Sequence, residues 1–135
     1  MDNKELIRKA LEAMKNSYSP YSGFAVGAAL LAKSGKVYTG CNIENAAFGP
    51  TVCAERTAFF KAVSEGEREF EKIAVTGGKN GKVTDYAFPC GVCRQVMAEF
   101  CDKNFEIITA KSESDYISRT LGDLLPESFG KNNLE

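Results

Sequence analysis

At 135 residues, 44% of them hydrophobic and 26% charged, the chain has the size and make-up of one domain with its own core, expected over residues 1–135, and it lacks the eighteen-residue apolar run that a membrane span needs. Seventeen basic residues against 18 acidic ones give a net charge of −1, which offers no electrostatic footprint to a nucleic acid backbone. The first residues lack the layout of a secretory signal, so the five cysteines are expected in a reducing cytoplasm, as thiols or ligands rather than disulfides.

In chain order, Asp2 caps a helix with Glu5 as the reciprocal residue of a capping box. Leu6, Ile7, Ala10, Leu11 and Met14 then recur at helical spacing, which predicts a first helix over roughly residues 3–16. Pro20 and its serine and glycine neighbours make Ser17–Gly23 a loop with two tyrosines in it. Phe24–Lys33 and Lys36–Cys41 are apolar runs around Ser34-Gly35, the pattern of a hairpin, and its second strand ends in the polar stretch Asn42–Ala47. From Cys53 onward, Ala54, Ala58, Phe59, Ala62 and Val63 form a helical stripe that Gly66 terminates.

A short buried strand is expected over Glu71–Gly77, with a flexible excursion over Gly77–Gly81. The next helix begins at Pro89 and places Cys90 and Cys93 in its first turn. Two further strands, Phe105–Thr109 and Asp115–Ile117, precede a short helix over Leu121–Leu125 that Pro126 stops. Helix and strand alternate after residue 50, so the fold class is α/β: a three-layer α/β/α sandwich around a mixed sheet of about five strands.

Histidine is absent, which removes the commonest metal ligand and the commonest general base and leaves any catalysis to thiolate and carboxylate. Cys90 and Cys93, three apart on a helix start, face one way and can grip one ion. A lone Cys-x-x-Cys also fits a redox dithiol or a structural zinc clamp. Cys53 supplies a third ligand, and three protein ligands with one open position describe a catalytic zinc. Glu55, two residues on, then acts as general acid and base. Cys41 and Cys101 lack comparable spacing and are expected as small core side chains, although a fourth ligand from Cys41 would close the shell. Arg56 has donors that reach toward ligand sulfurs, and Arg94 is expected as a surface charge.

Three thiols and a glutamate in this order match the arrangement of zinc deaminases. Pro20-Tyr21-Ser22, Phe24, Val26–Leu30, Gly40–Ala46, Cys53-Ala54-Glu55-Arg56 and Pro89-Cys90-Gly91 followed by Cys93-Arg94-Gln95 fall in register with one family. Along nearly its whole length the chain resembles the small homotetrameric zinc-dependent cytidine deaminases. The resemblance implies hydrolytic deamination of cytidine and 2′-deoxycytidine to the uridine products, with one zinc per subunit on Cys53, Cys90 and Cys93 and protons shuttled by Glu55. It also implies that Asn42 and Glu44 hold the ribose hydroxyls, that Phe24 packs on the pyrimidine, that Ala54 lines the substrate site, and that Arg56 hydrogen-bonds ligand thiolates. Phe129 would complete a neighbouring subunit's pocket, making the active sites of a homotetramer shared.

The departures are modest: Phe48 stands where a tyrosine is frequent, and Ala87-Phe88 stand before Pro89-Cys90 where serine is common. A related activity on an antibiotic cytosine nucleoside shares the zinc pattern, but Asn42-Ile43-Glu44-Asn45 favours the ordinary nucleosides. Two readings from other classes are a zinc-binding module with four cysteine ligands and no turnover, and a dithiol oxidoreductase built on Cys90 and Cys93.

Overall fold

The computed structural model describes residues 1–135. Helix α1 (Asn3–Met14) starts where the Asp2 side chain accepts the Glu5 N–H at 2.8 Å. The reciprocal bond of a full capping box is not formed, and the helix ends two residues earlier than its periodicity suggests because Lys15 onward turns away. Strands β1 (Phe24–Ala32) and β2 (Val37–Cys41) form the expected antiparallel hairpin across Ser34-Gly35. Gly35 there adopts a φ of +94°, a left-handed conformation that suits glycine. Helix α2 (Ala54–Ser64) follows, then β3 (Phe70–Lys79), α3 (Gly91–Phe100), β4 (Glu106–Ser112), β5 (Asp115–Thr120) and the short α4 (Leu121–Leu124). A 3-10 turn at Lys131–Leu134, which the sequence did not suggest, lies near the C-terminus.

The sheet order is β2-β1-β3-β4-β5, and only the β3–β4 pair is parallel. Helix α1 covers one face through Leu6, Ile7 and Ala10 against Ala29, Leu31, Ala74 and Ile108. Helices α2 and α3 cover the other, where Phe59, Met97, Ile73, Ile107 and Leu30 form the larger cluster. Each of the Leu, Ile, Phe and Met side chains so removed from water contributes about 1.5–3 kcal/mol, so the two faces together fix the three-layer arrangement. Phe59 sits at the centre, with the rings of Phe70, Phe100 and Phe105 at centroid distances of 5.0–6.4 Å.

Strand β3 is longer than its apolar run. Gly77 and Gly78 continue it, pairing with Val26 and Ala25, and the chain reverses only at Asn80-Gly81. The glycines answer a need for space rather than flexibility, since a Cβ on Gly78 would lie 1.9 Å from the Lys82 carbonyl oxygen and one on Gly77 3.0 Å from the Phe24 ring. Strands β4 and β5 likewise extend to Ser112 and Thr120, because their mutual pairing recruits polar residues that carry no apolar signal. No helix is long and apolar enough to cross a membrane.

Candidate metal centre and nucleoside site

The two cysteine groups meet at the starts of α2 and α3. Cys53 and Cys90 are N-cap residues in extended conformation, so Cys90 stands just before the first turn of α3 rather than within it, and only Cys93 is helical. Neither thiol caps its own helix, so both sulfurs are free for another partner. The Cys53 Sγ lies 3.7 Å from the Cys90 Sγ, and that sulfur lies 3.6 Å from the Cys93 Sγ. A tetrahedral zinc with bonds of about 2.3 Å needs ligand sulfurs about 3.7–3.8 Å apart, so the donor set fits that ion in identity and spacing. Cys41 and Cys101 stay outside the triangle, half-buried, with thiols pushed upward by burial, Cys101 to about 12.

The electrostatics favour an anionic sulfur cluster. The neighbouring Cys93 thiol, with Arg56 and Cys90, holds the Cys53 pKa well below the usual thiol range against the opposing effect of burial. Cys93 is correspondingly pushed up, because its proton is shared with a neighbouring thiolate inside the fold. A metal takes the place of such shared protons, and its binding is therefore linked to their release. The Nη2 of Arg56 reaches the Cys53 sulfur at 3.5 Å while its buried Nε has no acceptor, a cation leaning on the cluster with a donor to spare.

Glu55 is buried in the first turn of α2, and desolvation raises its pKa to about 7, with the Cys53 charge adding and Arg56 opposing. A carboxyl poised near neutrality both takes and gives a proton at working pH. Its place is set by close packing. Gly40 of β2 lies directly under α2, where a Cβ would be 2.6 Å from the Ala54 carbonyl oxygen. Ala54 itself is fully buried at this contact.

The segment after β2 runs beside the approach to Cys53, since Ile43 and Val52 exchange two main-chain hydrogen bonds of 3.0 Å. This pairs the residue between Asn42 and Glu44 with the residue before Cys53, and the Asn42 amide ties Phe24 to the same segment. The Asn42 amide donates to the Phe24 carbonyl at 2.7 Å, and its oxygen accepts from Val26 N at 2.9 Å and from the Ser17 hydroxyl. Both lone pairs are used, so what Asn42 can still offer a ligand is one N–H. Glu44 accepts from the Tyr21 and Ser22 N–H groups at 3.0 and 3.1 Å and from the Ser22 hydroxyl, which hold its pKa below the usual carboxylate range. It keeps an acceptor position for one hydroxyl. Phe24 leaves 40% of its surface exposed.

Phe129 lies in the C-terminal segment, 60% exposed, with its carbonyl accepting from Gln95 Nε2 at 2.9 Å. Arg94 is not a free surface charge. Its Nε donates to the Pro89 carbonyl and its Nη1 to the Leu124 carbonyl, both at 2.7 Å. Ser17 and Ser22 are supporting residues that the sequence showed only as turn formers, and Arg94 is one that it showed only as a surface charge. The turn-rich Ser17–Gly23 loop facing a polar strand end was the available signal for the two serines. A concavity of about 1150 Å³ lies between the C-terminal end of α3 and the C-terminal segment, and none of Cys53, Cys90, Cys93, Glu55, Asn42 or Glu44 lines it.

Comparison with known proteins agrees with this geometry. Residues 1–109 match the family model described as the cytidine and deoxycytidylate deaminase zinc-binding region. A cytidine deaminase of Sporosarcina psychrophila is 48% identical over 134 residues, covering 99% of this chain and 96% of that protein. The crystal structure of a cytidine deaminase from Burkholderia pseudomallei superposes with a TM-score of 0.88 at 44% identity, over 96% of this chain and all of the other. That of the Mycobacterium tuberculosis cytidine deaminase gives 0.82 at 40%, over 96% and 98%. With a metal-ligating triangle, a buried acid and a matching fold in one chain, the protein belongs to the cytidine and deoxycytidylate deaminase family of zinc-binding proteins.

Proposed function

We infer that the chain hydrolyses cytidine and 2′-deoxycytidine to uridine and 2′-deoxyuridine with release of ammonia, a reaction of pyrimidine salvage, and that residues 1–135 act as one catalytic domain in the cytoplasm. The observation that carries this reading is the triangle of three sulfurs, 3.6 and 3.7 Å along two of its edges, at the same helix start as a buried Glu55 poised near neutrality. Cys53, Cys90 and Cys93 would hold the zinc, which when bound would supply a Lewis acid able to make water a nucleophile at neutral pH. The chain's own groups do the rest. Glu55 takes one proton from the attacking water and delivers it to N3 of the cytosine, then takes the second from the new C4 hydroxyl and delivers it to the amine, so that the C4–N bond breaks, ammonia leaves and C4 is left as the carbonyl. Phe24 offers its ring to the pyrimidine, and Ala54, beside Glu55 at the start of α2, lines the substrate site. Asn42 donates its remaining N–H to one ribose oxygen while Glu44 accepts from a ribose hydroxyl. As an anion, Glu44 discourages a phosphate close by and so favours nucleosides over their monophosphates.

The exposed rings of Phe24, Phe48, Phe88 and Phe129 favour a homotetramer in which Phe129 closes a neighbour's pocket. Purified protein mixed with cytidine should lose cytosine absorbance, a chelator-treated sample should not, and light scattering should give four chains. Retained turnover after complete zinc removal would refute the metal-dependent reading. Zinc bound without any turnover would leave a binding module.

A further inference from the structure

Two irregular segments flank the metal centre, and each is tied to the body of the protein by little. Residues 83–89, which lead into Cys90, form no main-chain to main-chain hydrogen bond. The hydroxyl of Tyr86 reaches Asp115 at 2.5 Å, but the one bond from outside onto the backbone of this loop is the Arg94 Nε–H to the Pro89 carbonyl. The segment after Leu125 bonds within itself at Gly130 and Asn133, and the one bond joining it to the rest is Gln95 Nε2–H to the Phe129 carbonyl. Between these, Arg94 Nη1–H satisfies the Leu124 carbonyl, which the end of α4 leaves open. One guanidinium therefore grips the peptide unit entering Cys90 and the peptide unit leaving α4, and the next residue of α3 grips Phe129.

We propose that Arg94 is a positioning residue that clamps the Cys90 turn and the C-terminal segment onto the start of α3 as a single unit, with Gln95 extending the clamp to Phe129. The inference rests on the metal-site reading given above. Cys90 is the exposed member of the sulfur triangle, and its own thiol does not cap α3. The carbonyl before it is thus the handle by which its sulfur can be held at ligand distance. A planar fork suits the task because it donates in two fixed directions at once, which an ammonium does not. The same fork makes the two segments interdependent: loosening either end releases the guanidinium from the geometry that serves the other.

The test uses full-length zinc-loaded protein. Zinc transfer to an excess of a colorimetric chelator is followed together with amide exchange at Leu125 and Gly130. Arg94→Met keeps the stem and removes the donors. It should speed zinc release by about tenfold or more, the usual scale for residues that orient metal ligands, and should raise exchange at both amides. Gln95→Met should raise exchange at Gly130 with zinc release within about twofold of the parent. Arg94→Lys, able to reach one carbonyl at a time, should fall between, and it supplies the same readouts if the methionine variant does not fold. Faster exchange with an unchanged zinc-release rate in the Arg94 variants would reduce the residue to a cap on α4 and overturn the clamp. A parent protein that holds no zinc at all would instead overturn the metal site, and the clamp with it.

Discussion

Replacing Gly40 by alanine tests how the fold aims its chemistry. A Cβ at this position stands 2.6 Å from the Ala54 carbonyl oxygen, 2.7 Å from Ala58 N and 3.0 Å from the Thr57 Cβ, whereas ordinary contact begins at 3.4 Å. The shortfall against Ala54 is therefore about 0.8 Å (3.4 less 2.6), and two of the three opposing atoms are helix backbone that cannot rotate away. Strand β2 is held by its pairing with β1 at Ala28, and α2 by the Thr57 hydroxyl donating to the Cys41 carbonyl at 3.0 Å. Something in this stack must yield, and the start of α2 holds Cys53, Glu55 and Arg56. Overpacking of this kind costs about 1–3 kcal/mol, or about 3–12 °C in Tm for a chain of this length. A displacement approaching 1 Å at a catalytic group costs on the order of a hundredfold in rate. Differential scanning fluorimetry and kcat/KM on zinc-loaded Gly40→Ala measure both, with Gly130→Ala, which meets nothing within 4 Å, as the comparison. A Gly40→Ala protein with the parent's Tm and kcat/KM would show that the close approach does not position the site.

Glu55→Gln should retain zinc, by metal analysis, and lose at least about a hundredfold in kcat, the lower range for a missing general acid and base; near-normal turnover would remove Glu55 from the reaction. Arg56→Gln should shed zinc to a chelator about tenfold faster or more while keeping its far-UV dichroism, since the Cys53 sulfur loses the donor at 3.5 Å; parent-like retention would make Arg56 a bystander. Glu67 accepts from Ser34 Oγ at 2.6 Å and the Tyr38 hydroxyl at 2.9 Å, which lower its pKa below 4.5. A group whose folded-state pKa is depressed contributes stability above its unfolded pKa and loses it as the pH falls through the folded value. The Tm gap between the parent and Tyr38→Phe should therefore be full at neutral pH and narrow on acidification below about 4.5; a gap independent of pH would assign the loss to packing alone.

The metal centre was readable in the sequence because its logic is local. A Cys-x-x-Cys spacing, a proline before it and a glutamate two residues after another cysteine each describe one helix start, and the sheet needs only to bring the two starts together. The hairpin and the three layers followed from periodicity in the same way. What escaped was non-local. The double glycine at Gly77-Gly78 reads as looseness in one dimension, yet it exists because the Phe24 ring and the Lys82 backbone come close in three. Arg94 reads as solvated charge until two carbonyls, one from 30 residues further along the chain, are seen converging on it. Ser17 and Ser22 read as turn formers, and only the return of β2 shows that they orient Asn42 and Glu44.

A site without histidine has a charge problem that the fold answers in several places at once. Three thiolates around a divalent ion sum to a net charge of −1, and such a cluster is stable inside a protein only where positive potential surrounds it. The N-termini of α2 and α3 both point at the triangle, each bringing the partial positive charge of its unpaired N–H groups. Arg56 adds a full charge from within the first turn of α2, held half-buried where water screens it less. Glu55 shares that turn, and its burial would push it toward the neutral form by itself. The Arg56 guanidinium pulls in the other direction. The same short stretch, Cys53 to Arg56, thus sets the charge of the metal cluster and the proton affinity of the group beside it. For this reason the close approach at Gly40, which fixes that stretch against the sheet, matters more to the chemistry than a glycine in an edge strand would otherwise suggest.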